Sequence, residues 1–282
     1  MAQTAPLSLR ELAHEHLPAD VAERWAGRLR PALFLTAAEP GEPAEPGEPG
    51  GAVVGRLGGL PELPEDVEWP VWEGHGPLSF VASLDCAALP ADDLDVPLPD
   101  GGTLAFFYFD GRIDDGDALV WARDPDTWAG ARVLHVPAGV PVAERAAPEG
   151  LEPYPRVPLT ARLRETAPDP YGPFAEAQLS DAFIDAVHEH ADGFGHRVGG
   201  YADPVQGAVE YEVAAGVLGP DVTWDDPRLA EEARGWTLLA QFDSDHRADM
   251  MWGDCGVLYW LIRPEDLAAL RFDRALFTWQ CS

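Results

Sequence analysis

The sequence contains no lysine and no asparagine, and all 19 of its basic residues are arginine. Such a bias follows from GC-rich coding, so abundant arginine carries no functional weight by itself. Cysteine is scarce: Cys86, Cys255 and Cys281 are odd in number and widely spaced. That excludes a disulfide framework and a CxxC metal site and fits a reducing compartment. No window approaches the about 20 apolar residues of a membrane-spanning helix, and the opening "MAQTAPLSLRELAHEHLP" lacks the charged and apolar parts of a secretory leader. The expectation is a cytoplasmic protein without membrane association. Positive charge is also short. With 19 basic against 49 acidic residues the formal net charge is −30, which repels a nucleic-acid backbone and suits a basic partner, or simply keeps the chain soluble.

Catalytic signatures are missing as well. The eight histidines form no HExxH pair; His14 with His16, and His188 with His190, are two apart and face different sides of a helix. Ser79, Ser83, Ser180 and Ser244 stand in no GxSxG elbow, and Cys255 has no identifiable histidine partner. "GHGPL" at Gly74 completes neither a P-loop nor a dinucleotide fingerprint. No cofactor is expected, and an enzyme is the less favoured reading.

What is present is a globular composition, 46% hydrophobic and 10% aromatic, enough for one large domain or two of roughly 100–150 residues each. Residues 1–32 read as a helical N-terminal segment: Leu9, Leu12, Ala13 and His16 recur at helical spacing, Pro18 interrupts, and Asp20 can cap a second helix. Residues 33–282 form the main domain. Within it "EPGEPAEPGEPG", residues 39–50, is an acidic Pro/Gly repeat with nothing to anchor a core, and reads as a flexible loop.

The rest is strand-rich. "PALFLTAA", "AVVGRL", "LSFVASLD", "TLAFFYFD", "ALVWARD", "RVLHVP", "WTLLAQFDSD", "GVLYWLIR" and "LFTWQ" are apolar or alternating runs punctuated by Gly, Pro and Asp. Helices are expected after Ser180, over Pro227–Arg234 and at "PEDLAAL". One order recurs: Gly58-Gly59 leads to "PLSFVASLD" and "GGTLAFFYFD", while Gly199-Gly200 leads to "WTLLAQFDSD" and "CGVLYWLIRPEDL". Each glycine pair supplies conformations that a Cβ would obstruct. In "GGLPELPEDVEWP" the prolines stiffen the loop, and Leu60, Leu63 and Trp69 can pin it onto a sheet. The fold class is therefore α+β, sheet-dominated, mainly antiparallel and internally duplicated, with approximate halves 33–163 and 179–282.

Six pieces in this order, "GGLPELPEDVEWP", "PLSFVASLD", "LPDGGTLAFFYFD", "HRVGGYADPVQG", "WTLLAQFDSD" and "MMWGDCGVLYWLIRPEDL", resemble the YwqG-like family, a bacterial domain of unknown function, from about Leu33 to Ser282. The family pattern maps onto Gly199, Gly200, Gln206, Gln241, Asp243, Trp252, Gly253, Asp254 and Gly256. Ser83 stands where relatives often carry glutamine, and the Glu-Pro-Gly repeat looks like an insertion. The resemblance implies the duplicated α+β fold and no established reaction; some relatives lie near toxin genes, which suggests an immunity-like role.

Two functional readings follow. One is non-catalytic protein binding, with a basic partner. The other is a small-ligand or enzymatic site between the halves, with Gln206 and Gln241 orienting the ligand, Asp243 and Asp254 accepting hydrogen bonds or a proton, and Trp252 as a stacking wall. Gly58, Gly59, Trp69, Gly199 and Gly200 form the structural loops around it. His246, beside several aspartates, is a candidate acid/base group. A calcium loop from Asp243 to Asp254 fails at Arg247, Ala248 and the terminal aspartate, so no metal is expected, and Asp243 and Asp254 should bond backbone amides at turns. Trp224, Trp236, Trp252, Trp260 and Trp279 crowd the second half, as core or as the lining of a groove.

Overall fold

The computed structural model describes residues 7–38, 52–90, 94–175, 179–190 and 195–282; the repeat at 39–50 lies outside the described residues. Ser8 opens helix α1 (Leu9–His16) with a capping box, its hydroxyl accepting from Glu11 N while the Glu11 carboxylate accepts from Ser8 N at 2.7 Å. The N-cap of α2 (Ala19–Ala26) is Pro18 rather than the expected Asp20. Asp20 falls in the first turn, where it suits the helix dipole and accepts from Arg24 at 2.9 Å. Both helices pack against α3 (Asp181–His190), with Trp25 and Phe183 in edge contact at 4.9 Å between ring centroids. Ser180 accepts from Phe183 N, as the sequence led us to expect.

The strands are β1 (Arg30–Ala37), β2 (Val53–Leu57), β3 (Glu62–Leu63), β4 (Val71–Trp72), β5 (Gly76–Pro77), β6 (Ser79–Asp85), β7 (Thr103–Tyr108), β8 (Ala131–Val136), β9 (Ala143–Glu144), β10 (Val157–Thr166), β11 (His196–Val198), β12 (Thr237–Asp243), β13 (Val257–Ile262) and β14 (Leu276–Gln280). Ten of them build one sheet in the order β14-β13-β12-β11-β1-β10-β2-β6-β7-β8, with antiparallel neighbours throughout. Outward from the central β1–β10 pair, β11, β12, β13 and β14 follow in chain order on one side, and β2, β6, β7 and β8 on the other.

The two wings share more than order. The β6–β7 pairing shifts between Phe80 and Ala82, and the β12–β13 pairing shifts between Leu238 and Ala240. The displaced residue takes the same part in each, since Val81 O accepts from Gly58 N at 2.8 Å and Leu239 O from Gly199 N at 3.3 Å. The central pair crosses the wings: β1 borders β11, and β10 borders β2.

Most of the strands in the long apolar runs are buried on both faces, as covered strands require. Phe106, Phe242, Trp260 and Phe277 bring the wings into a common aromatic core, with Phe106 5.0 Å from Phe242 and 5.3 Å from Trp260. The opposite face of β12–β14 is covered by α4 (Val209–Leu218), through Val209 and Val213 against Trp236, Leu238, Tyr259 and Leu261. Helices α5 (Pro227–Ala233) and α6 (Pro264–Ala268) lie where their starting prolines place them.

One expected strand is absent. "ALVWARD" is irregular and runs into a 3-10 turn at Pro125–Gly130. Side chains rather than a ladder take its carbonyls: Val120 O accepts from Trp279 Nε1 at 3.1 Å, Trp121 O from Thr127 Oγ1 at 3.1 Å, and Ala122 O from Trp128 Nε1 at 2.9 Å. Conversely, β10 and α4 are present without having been expected: β10 alternates apolar and polar residues but contains Pro158, and α4 has no clear apolar stripe.

Candidate functional site

Each glycine pair begins where a strand ends, and all four glycines have left-handed backbone: φ is 54° at Gly58, 74° at Gly59, 71° at Gly199 and 66° at Gly200. A Cβ on Gly58 would lie 2.3 Å from Pro155 O, and one on Gly200 would lie 2.5 Å from Thr166 Oγ1. The turn brings the chain back over the arginine that precedes it. Arg56 Nη2 donates to Leu60 O at 2.6 Å, and Arg197 Nη1 donates to Tyr201 O at 3.3 Å. Each guanidinium also meets an acid two residues further on, Glu62 at 3.8 Å and Asp203 at 3.2 Å. These arginines belong to the site, although the bias toward arginine hid them. Their signal is position: both stand two residues before a glycine pair.

Around the second turn the polar groups are dense. Arg197, Gln241, Tyr259 and Thr278 lie directly opposite one another across β11, β12, β13 and β14. Gln241, fully buried, accepts from Asp203 N at 3.0 Å and donates to Gly195 O at 2.8 Å. Tyr259 donates its hydroxyl to Asp203 O at 2.8 Å. Gln280 accepts from Val205 N and Gln206 N at 2.8 and 3.0 Å, and donates to Gly207 O and Glu212 Oε1 at 2.8 Å each. The Glu212 carboxylate also accepts from Thr278 Oγ1. Burial pushes the Asp203 carboxyl up despite Arg197 beside it, and burial pulls the Arg197 guanidinium down.

The five candidate residues divide among different surroundings. Gln241 sits inside the polar network. Gln206 is exposed and donates its amide to Cys281 O at 2.8 Å. Asp243 is half-buried, its carboxyl raised by burial; its main-chain N–H donates to His196 Nδ1 at 3.1 Å, and its carbonyl accepts from Trp252 Nε1 at 3.2 Å. Trp252 is buried in the aromatic core against Tyr108 and Tyr154. Asp254 is exposed, and its carbonyl accepts from Ser282 N. The Asp243 carboxyl takes a backbone hydrogen bond from Ser244, as expected, and the fuller cap of this loop is Asp245. Its carboxylate accepts from Arg247 N at 2.7 Å and Ala248 N at 3.2 Å. His196 Nε2 lies 3.4 Å from it, and that hydrogen bond draws its pKa down to about 2. His246 is exposed. Among the described residues no three His, Cys, Asp or Glu side chains gather for a metal.

A depression accompanies each glycine pair. One is lined by Gly59, Trp69, Ser79, Phe80, Leu151 and Tyr154 among others. Trp69 is held there by its Nε1 bond to Leu78 O at 2.8 Å and by an edge contact with Phe107. The other depression is lined by Asp169, Phe174, Tyr201, Pro204 and Glu210 among others. Glu210 is 6% exposed, and burial raises its carboxyl to about 7. None of the five candidates lines either depression. No helix among the described residues is long and apolar enough to cross a membrane.

No curated protein matches this chain. A family model for a domain of unknown function (DUF1963) matches residues 55–281, from within β2 to the end of β14. It spans both glycine-pair turns and the whole polar network, and on that match the chain belongs to the DUF1963 family.

Proposed function

We propose that this chain is a YwqG-like, cytoplasmic, non-catalytic binding protein for a basic partner, with an immunity-like role of neutralising that partner. The observation that carries the reading is the use of the signature's buried polar groups. Gln241 has both ends of its amide bonded to main chain, and Arg197, Tyr259 and Gln280 likewise hold the second turn. Groups committed this way shape a scaffold, and they leave recognition to its surface, whose net charge of −30 suits a cationic protein. The shared order, bulge and turn geometry of the wings support descent from one duplicated unit, in which β10 corresponds to β1 and the second half begins near Val157 rather than at residue 179.

The test is affinity capture from lysate with mass-spectrometric identification, at low ionic strength and again near 1 M salt, where the Debye length shrinks to about 3 Å. A dominant basic protein that elutes with salt is the expected result. Capture of nothing at low salt, or retention indifferent to salt, overturns the reading.

One observation favours a small-ligand role instead. The Ser79 hydroxyl, 2% exposed, has no partner among the described residues and lines the first depression beside Trp69 and Phe80. A polar atom on a small apolar ligand would complete it. A fragment screen by thermal shift, repeated on Ser79→Ala, decides this: hits lost in the variant support the ligand reading, and no hits remove it.

A further inference from the structure

Of the ten tryptophans, Trp121 and Trp224 alone are classed as exposed, at 53% and 62%. They come from different wings and are linked through the irregular β7–β8 connection, which reaches the second half on both sides of Ala122. The Trp121 ring lies 6.3 Å from that of Trp279, whose Nε1 is anchored on Val120 O. Two residues along, Arg123 places its guanidinium 4.9 Å over the Trp224 ring and donates to Val222 O at 3.2 Å. The strip Trp279–Trp121–Arg123–Trp224 is thus tied together by hydrogen bonds, with Trp121 and Trp224 exposed and Arg123 over one face of the Trp224 ring.

The same two segments carry exposed carboxylates: Asp117, Asp124 and Asp126 in one, Asp221 and Asp225 in the other. Arg228 nearby is bonded to Asp226 at 2.6 Å, so it does not offset them. Exposed indoles on segments that also carry exposed carboxylates are complementary to guanidinium or ammonium groups, by cation–π attraction on the rings and by charge from the carboxylates. Arg123 over Trp224 is an intramolecular instance of that contact.

We propose that this tryptophan strip is the docking face for an extended, arginine- or lysine-bearing segment of a basic protein. The inference rests on the binding reading above and names its site.

The probe is a short synthetic peptide alternating arginine and glycine, titrated calorimetrically and by indole N–H resonances. Expected are shifts of the Trp121 and Trp224 indoles with Trp25 and Trp260 unmoved. Each single variant, Trp121→Ser or Trp224→Ser, should bind roughly two- to fivefold more weakly, and the double variant on the order of tenfold. Tyr171→Ser, which removes an exposed aromatic outside the strip, should bind as the parent does. Unmoved indoles, or a correctly folded double variant with unchanged affinity, overturn the proposal. So does equal binding of a glutamine-for-arginine peptide, or self-association of the parent that the double variant loses, which would make the occupant a second copy. If a captured basic partner is kept by the double variant, the strip falls while the binding reading stands. If lysate yields no basic partner, the binding reading falls whatever the peptide does.

Discussion

The two glycine-pair turns have the same backbone and the same arginine latch but are held down differently. After Gly58-Gly59 the connection to β6 is short of helix and anchored by packing. Leu63 is fully buried, Trp69 lies against Phe107, and Arg145 collects the carbonyls of Pro64, Glu65 and Val67. After Gly199-Gly200 the connection to β12 carries α4 and α5, and its first residues are held by buried amides and an ion pair. Packing distributes stability over many contacts. A buried polar network concentrates it, because removing one partner leaves the others desolvated and unpaired.

That contrast predicts unequal costs for equivalent changes. Arg197→Met strands Asp203 in a largely buried setting and should cost about 3–5 kcal/mol in denaturant unfolding, whereas Arg56→Met, whose partner Glu62 is exposed, should cost about 1 kcal/mol. Equal losses would break the comparison.

Glu210 gives the next effect. It belongs to α4, which has no counterpart over the first wing among the described residues. Its folded pKa of about 7 lies above its ordinary 4.5, so the folded state holds the proton more tightly. Stability from this group is complete below about pH 4.5, falls as pH rises toward 7, and stays low above it. The span is on the order of 3 kcal/mol. Glu210→Gln should flatten that slope and be more stable than the parent above pH 7. An unchanged pH profile would show that the carboxylate is not desolvated.

Gln241→Ala orphans the Asp203 amide and the Gly195 carbonyl and should cost about 2–3 kcal/mol, against less than about 1 kcal/mol for Ser83→Ala at the matching position of β6. A small effect is expected of Trp69→Phe. It keeps most of the ring contact but loses the bond to Leu78 O, so about 1 kcal/mol is expected, with faster amide exchange confined to residues 58–78. Exchange that also accelerates over 199–207 would mean that the turns are coupled.

Much of this architecture was legible in the chain. The doubled order of glycine pair and apolar runs marked the wings, and every glycine of the pairs proved left-handed. The central strand β10 escaped notice although Val157, Leu159, Ala161 and Leu163 alternate with polar neighbours, because Pro158 within the run argues against a central strand, and α4 because apolar residues surround it without a clear stripe, with Glu210 buried among them. "ALVWARD" reads as a strand by composition, yet its carbonyls answer to Trp279, Thr127 and Trp128, partners that no local pattern announces.

The sequence by itself marked the long apolar strands of the two wings and the left-handed glycine pairs, because side-chain patterning and the steric freedom of glycine act within a few residues. Only the tertiary structure decided that Arg197, Asp203 and Gln241 meet while Gln280 holds the same turn, that Trp252 and Trp260 are core while Trp121 and Trp224 face solvent, and that the five site candidates do not converge on one depression. Those outcomes depend on strand register and on which elements cover each sheet face, and both are fixed by contacts between residues distant in the chain.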